Sequence, residues 1–235
     1  MRSPALDPGA RATAAQALSV SVATGAYGVS FGALAVAAGL TPAQALALSA
    51  LMFTGGSQFA LVGVVGAGGS GAAAAATAAL LGVRNGLYGL QVAPLLGVRG
   101  ARRLLAAHLT IDESTAVGTA QPTPVLRRLG FWLTGAGVLV LWCAATALGT
   151  VLGDALGDPR RFGLDAAAAA AFLALLWPRL RERAPAAVAV AAAVLATAAV
   201  PVLPPGLPVL AAVLAVPLVL ALRVGRRDTP PGAPS

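Results

Sequence analysis

The chain has 235 residues, 58% of them hydrophobic and only 10% charged, and its mean hydropathy is +0.84. That composition excludes an ordinary soluble domain and a disordered chain, and the length suits one compact bundle. The formal net charge of +8 does not imply nucleic acid, because the arginines sit between apolar runs, where membrane-orientation signals sit.

Residues 1–11 are polar, contain Pro4, Pro8 and Gly9, and are expected to be disordered. From Ala12 to Val83 no side chain is charged. At roughly 20 apolar residues per helical crossing, that stretch has room for about three crossings, or two and a re-entrant hairpin. The first predicted helix, 12–38, is too long for a cleavable signal and is expected to be a retained anchor. Gly25, Gly28, Gly32 and Ala35 recur along it, either as a stripe for close helix packing or as a by-product of a chain rich in small residues. Gly39 suits a helix C′ position, Thr41 an N-cap and Pro42 the first helical position, and Gln44 completes a capping box.

The next apolar stretch is interrupted by Phe53-Thr54-Gly55-Gly56-Ser57-Gln58-Phe59. A Gly-Gly pair flanked by polar side chains breaks a helix. Unwound backbone at membrane depth is tolerated only inside protein or beside a water-filled cavity. Discontinuous helices of this kind occur in secondary transporters. The simpler alternative is a glycine kink with Gln58 bonded to a neighbouring helix. Gly66-Ala67-Gly68-Gly69-Ser70-Gly71 fits the dinucleotide fingerprint formally, but no acidic residue follows at the required offset, so a turn is expected there.

A third predicted helix, 72–96, contains Arg84-Asn85-Gly86-Leu87-Tyr88-Gly89. A lone guanidinium after so long an apolar run marks a functional site. Residues 104–120 are helix-like yet carry His108, Asp112 and Glu113. Apolar runs follow near 129–152, 164–177 and 184–203, and the last, 207–222, is expected to kink at Pro217. Residues 223–235 are expected to be disordered. If 42–68 dips in and returns, and 104–120 does not cross, six helices cross and both termini are cytoplasmic. Every arginine except Arg84, Arg160 and Arg161 then faces the cytoplasm, as the positive-inside rule prefers; seven or eight crossings distribute them less well. The expected fold class is all-α: a polytopic membrane bundle of six crossings, residues 12–222, with a broken or re-entrant helix at 42–68.

The polar residues suit an amino acid zwitterion. A half-helix starting near Ser57 directs free N–H groups at the break, where an anion is favoured. Arg84 offers a planar donor fork for a carboxylate, and carbonyls near Thr54–Gly56 can accept from an ammonium. The candidate substrate site is Thr54, Gly55, Gly56, Ser57, Gln58, Arg84, Asn85 and Tyr88. Arg84 has other possible roles: a structural cation paired with Asp112 or Glu113, a snorkelling side chain, or a gate. His108 and Asp112 are four apart and share a face if their segment is helical, so His108, Asp112 and Glu113 are candidate proton carriers, with a solvated surface pair as the alternative. Asp165 suits the start of a helix. Trp132, Trp142 and Trp177 read as interface anchors or lipid-facing packing. Cys143 and His108 are the only residues of their kinds, so neither a disulfide framework nor a metal site is expected. No cofactor is expected, and the chain does not read as an enzyme.

Three segments carry a family resemblance. Gly39-Leu40-Thr41-Pro42-Ala43-Gln44-Ala45 followed by Phe53–Phe59 resembles the start of the AzlC family of branched-chain amino acid permeases. Arg84–Leu90 with Ala93-Pro94 is similar to its next signature, and Leu105–Ser114 to a third. The chain departs from the commoner pattern at Asn85, where many members have His, and at Gly56, where many have Ala. The resemblance implies the transport subunit of a bacterial inner-membrane exporter of branched-chain amino acids, acting with a small hydrophobic AzlD-like partner. The rival class is a permease subunit of an ATP-driven importer, for which the 99–128 loop would have to supply a coupling helix; with no Walker A sequence here, its ATPase would be a separate chain.

Overall fold

The computed structural model describes residues 8–156 and 179–224, together with Leu173, Leu176 and Trp177. The described elements are α1 (Pro8–Ala37), α2 (Pro42–Leu51), α3 (Gly56–Gly66), α4 (Gly71–Leu96), α5 (Ala101–His108), α6 (Asp112–Ala120), α7 (Pro124–Leu156), α8 (Arg183–Ala199), α9 (Leu207–Ala212) and α10 (Ala215–Val224), with a 3-10 turn at Arg179–Arg181. No strand occurs among the described residues. The crossing expected at 164–177 and Asp165 fall outside them, apart from isolated positions.

Helix α1 begins at Pro8, inside the segment expected to be disordered, since proline's fixed φ suits the first helical position. It ends as expected at Gly39 (φ +89°): the Gly39 N–H donates to Val36 O and the Leu40 N–H to Ala35 O, a Schellman ending. The Thr41 capping box then starts α2, with the Thr41 N–H donating to Gln44 Oε1 at 2.8 Å. The glycine-rich segment after α3 is a turn, with Gly68 at φ +79°.

Helices α1 and α7 lie side by side and run in the same direction. The register climbs from Thr13 beside Gly130, through Ser21 beside Gly137 and Gly25 beside Leu141, to Ala33 beside Gly153. A Cβ on Gly28 would lie 2.7 Å from the Trp142 carbonyl oxygen, and one on Gly32 would strike the Thr146 carbonyl. The small-residue stripe is therefore a packing seam: only glycine lets the two backbones approach this closely.

Two parallel neighbours require the chain between them to return. Helix α4 does so, starting near the C-terminal end of α1 and ending where Leu95 O accepts from Arg128 Nε, at the start of α7. Helix α2 leaves the C-terminal end of α1 and α3 comes back to it, with Gly66 facing Ala38. Residues 104–120, expected as one helical stretch, fall in two helices broken at Leu109–Ile111. Helix α5 climbs until Leu109 faces Gly135, and α6 descends along α7 until Gln121 bonds Thr13 and Gln16. Thus α1–α2–α3 and α4–α5–α6 share one plan in opposite orientation: a long helix, then a short hairpin folded back from the end the long helix reaches. The two breaks use one device. In each, the third helical residue caps the chain before it: Gln58 Oε1 accepts from Gly55 N and Ser114 Oγ accepts from Ile111 N, both at 3.1 Å.

Beside an apolar core that includes Phe31, Phe131, Val138 and Trp142, many polar side chains are inside and many large apolar ones outside. Thr13, Ser21, Ser49, Gln58, Thr77, Ser114, Thr134 and Thr146 are buried, whereas Leu18, Leu51, Leu90, Leu104, Val140 and Val151 are exposed. In water such a surface would associate; in lipid it is the stable arrangement. Among the described residues, α1 and the Pro124–Gly153 part of α7 are long and apolar enough to cross a membrane, where six crossings were expected of the whole chain. Helix α4 has 26 residues but carries Arg84, Asn85 and Gln91. The last apolar run does break near Pro217, at Val213–Leu214, because the proline supplies no N–H for the Val213 carbonyl. Trp142 is not lipid-facing as expected: it is 4% exposed and packs in a cluster with Phe31 and Phe59, ring centroids 6.0 and 6.1 Å away.

Candidate functional site

Arg84 lies midway along α4, about 20 Å from either end. Its Nη2 is 2.8 Å from Asp112 Oδ2 and 3.4 Å from the Thr54 carbonyl oxygen, to which it donates. Asp112 opens α6, where a carboxylate complements the helix dipole, and Thr54 lies in the break before α3. One guanidinium therefore ties a long helix to the tips of both hairpins. The pair is half-buried, its side chains 30% and 19% exposed. Among the roles open to Arg84, the geometry supplies the pairing with Asp112. Glu113, the next residue, turns to α1, where its Oε1 accepts from Thr24 Oγ1 at 3.4 Å.

The pair forms one wall of a cleft of about 840 Å³, within the roughly 300–1,000 Å³ of small-molecule sites. From Arg84, Asp112, Glu113 and Tyr88 the cleft extends to Gln16, Gln91 and Thr119, toward the end of the bundle that bears Arg11, Arg99 and Arg127. A smaller pocket of about 260 Å³ lies between α3 and α4 on the other side of Thr54.

The other predicted residues divide. Thr54 Oγ1, Ser57 Oγ, Arg84 Nε and Asn85 Oδ1 are buried without a hydrogen-bond partner, and such atoms call for a ligand, water or other explanation. Gly55 adopts φ +55°, ψ −82°, a conformation that glycine alone tolerates readily, and the chain turns there into α3 at Gly56. Gln58 is engaged within the fold, as in the alternative of a side chain bonded to a neighbouring helix. Its Oε1 caps Gly55, its Nε2 donates to Ser49 Oγ at 3.4 Å, and Ser49 is 2.8 Å from Thr146 Oγ1, so it ties α3 to α2 and α7. His108 ends α5 with its ring 5.8 Å from that of Phe53. The break at Leu109–Ile111 removes the continuous helix on which His108 and Asp112 would share a face, and Asp112 pairs with Arg84 instead.

Gln16, Thr24, Gln91 and Thr115 were not anticipated. Their signal is periodic: Gln16, Val20 and Thr24 recur at intervals of four, and Arg84, Tyr88 and Gln91 at four and three, each set on one helical face.

Comparison with curated proteins and with solved structures gives no match. The AzlC protein family model matches residues 19–156, from within α1 to the end of α7, and so takes in every residue of the site except Gln16, Leu176 and Arg179. Spanning more than half of the sequence, this match shows that the chain belongs to the AzlC family, whose members are membrane proteins of the amino acid transport type.

Proposed function

We propose that this chain is the transport subunit of a secondary exporter for branched-chain or similar apolar L-amino acids. In this proposal it sits in a bacterial inner membrane, crosses six times with the arginine-bearing ends in the cytoplasm, and works with a small AzlD-like subunit. The observation that carries it is the Arg84–Asp112 pair, held at mid-bundle between two broken helices and facing the 840 Å³ cleft. A zwitterion carries the same two charges as that pair. Its carboxylate takes the guanidinium and its ammonium takes the Glu113 carboxylate, so each charge keeps a partner. A proton arriving on Asp112 neutralises it and releases Arg84 to the substrate, which couples substrate movement to the proton gradient. Desolvation of the two charges is compensated only by a ligand carrying both, which favours amino acids over simple anions.

An ATP-driven importer is less well supported, since α6, the second half of the 101–120 segment, packs along α7 rather than projecting as a coupling helix. The test is counterflow in proteoliposomes across leucine, isoleucine, valine and methionine, with and without the small subunit. Exchange of these amino acids and not of simple carboxylates is expected. Absence of exchange with the small subunit present refutes the proposal.

A further inference from the structure

The 260 Å³ pocket between α3 and α4 is not used by the ion pair. Its walls are apolar, with Leu61 on one side and Ala78 and Gly82 on the other, and its polar end is Thr54 and Ser57. The Ser57 side chain is 1% exposed, and its Oγ has no partner; the Thr54 Oγ1 is buried and unpartnered too. Ser57 is the second residue of the 11-residue α3; the N–H groups of Gln58 and Phe59 donate to the Gly55 carbonyl, which leaves those of Gly56 and Ser57 at the start of the helix. Donors at one end and hydrocarbon walls beyond match a molecule with an anionic head and an apolar side chain. The volume falls below the roughly 300 Å³ at which pockets begin to enclose drug-sized ligands, which suits one small side chain.

We infer that this pocket is the side-chain subsite for the transported amino acid, with Gly82 setting its depth and the Thr54 and Ser57 hydroxyls sharing with Arg84 the substrate's carboxylate. The inference rests on the amino acid transport proposed above. Gly82 offers a clean handle. A Cβ there would meet only Ser57 Oγ, at 3.6 Å, an ordinary contact, and replacing glycine in a helix interior favours the helix.

The experiment is exchange of labelled leucine in proteoliposomes containing the full chain and its small subunit, with alanine, valine, leucine and methionine as competitors. Gly82→Leu should weaken competition by leucine and methionine at least tenfold relative to alanine, with Gly82→Ala intermediate. Ser57→Ala should weaken all four by a similar factor and keep their order. General damage to the protein lowers all substrates alike, so the changed order is the signature of a lost subsite. An unchanged order in Gly82→Leu, or a uniform loss, overturns the inference while leaving amino acid transport intact. If the wild-type protein exchanges none of the four, both fall together.

Discussion

Replacing Arg84 by Ala removes one partner of the mid-bundle ion pair, and the structure sets the size of the effect. Breaking a fully buried pair costs about 3–5 kcal/mol, because the remaining charge is left uncompensated. Here the two side chains are 30% and 19% exposed, so water reaches both. The cost is therefore smaller, roughly 2–3 kcal/mol once the exposed fraction is discounted. Loss of the Thr54 carbonyl contact adds little, since at 3.4 Å it is a long hydrogen bond. If Asp112 is the group left stranded, neutralising it must recover part of the loss. Arg84→Ala/Asp112→Asn should then be more stable than Arg84→Ala by about 1–2 kcal/mol. Arg84→Lys keeps the charge and most of the stability but loses the planar fork, so it should fold and transport poorly. Denaturant or thermal unfolding in detergent micelles measures all three. A double mutant no more stable than Arg84→Ala refutes the reasoning, because the pair would then contribute nothing to holding α4 against α6.

Gly32→Ala drives a Cβ into the Thr146 carbonyl of α7 and should lower stability by about 1–3 kcal/mol despite the better helix propensity, whereas Gly86→Ala, with nothing within 4 Å, should be neutral or stabilising in the same unfolding assay. A double-mutant cycle on Ser49→Ala and Thr146→Val should give a coupling energy of roughly 0.5–1.5 kcal/mol, and none if their 2.8 Å contact is not made. Because His108 packs on Phe53 and makes no ion pair with Asp112, His108→Gln should retain export driven by a pH gradient, while Asp112→Asn should abolish it; proteoliposome flux measurements decide. Single cysteines at Ser70 and Arg99, at opposite ends of α4, should react with impermeant thiol reagents from opposite sides of the membrane.

The elements that were legible in the sequence are those written in local chemistry. Gly39, Thr41, Pro42 and Gln44 are punctuation that works within a few residues, and the Gly55-Gly56 pair breaks its helix wherever the chain goes. The break at Leu109–Ile111 was hidden because it contains neither glycine nor proline. It is made by Ser114 and Thr110, whose hydroxyls take up backbone groups: Ser114 Oγ donates to Leu109 O at 2.6 Å and Thr110 Oγ1 to Ala106 O at 2.7 Å. His108 and Asp112 were read as sharing one helical face; Asp112-Glu113 is also a start signal at the first turn of a helix, and only the broken chain shows that it acts as one. Gln58 stood in the sequence either as a substrate ligand or as a side chain bonded to a neighbouring helix. Polarity cannot tell a side chain aimed at a cavity from one whose donors and acceptor are already engaged, and that takes the neighbours Ser49 and Thr146, which the sequence holds far apart. Trp142 failed for the opposite reason: tryptophan is common at membrane interfaces, but an aromatic opposite Phe31 on the glycine seam becomes core.

The inverted plan explains why the charges lie where they do. A guanidinium or a carboxylate at the centre of a long apolar helix is costly unless polar partners reach the same depth. A continuous helix cannot supply them, because its N–H groups and carbonyls are engaged with one another. A helix that stops halfway supplies the positive end of a dipole, uncapped N–H groups and free carbonyls at that depth. With one hairpin entering from each end, the Thr54 carbonyl comes from one break and the Asp112 carboxylate from the other, and Arg84 on α4 lies between them. The polar cleft is lined by the pair, and the apolar pocket by Thr54 and the first half of α4. Arg84 lines the cleft and Thr54 the pocket, so the group that holds the hairpin tips together also bridges a wall of each cavity.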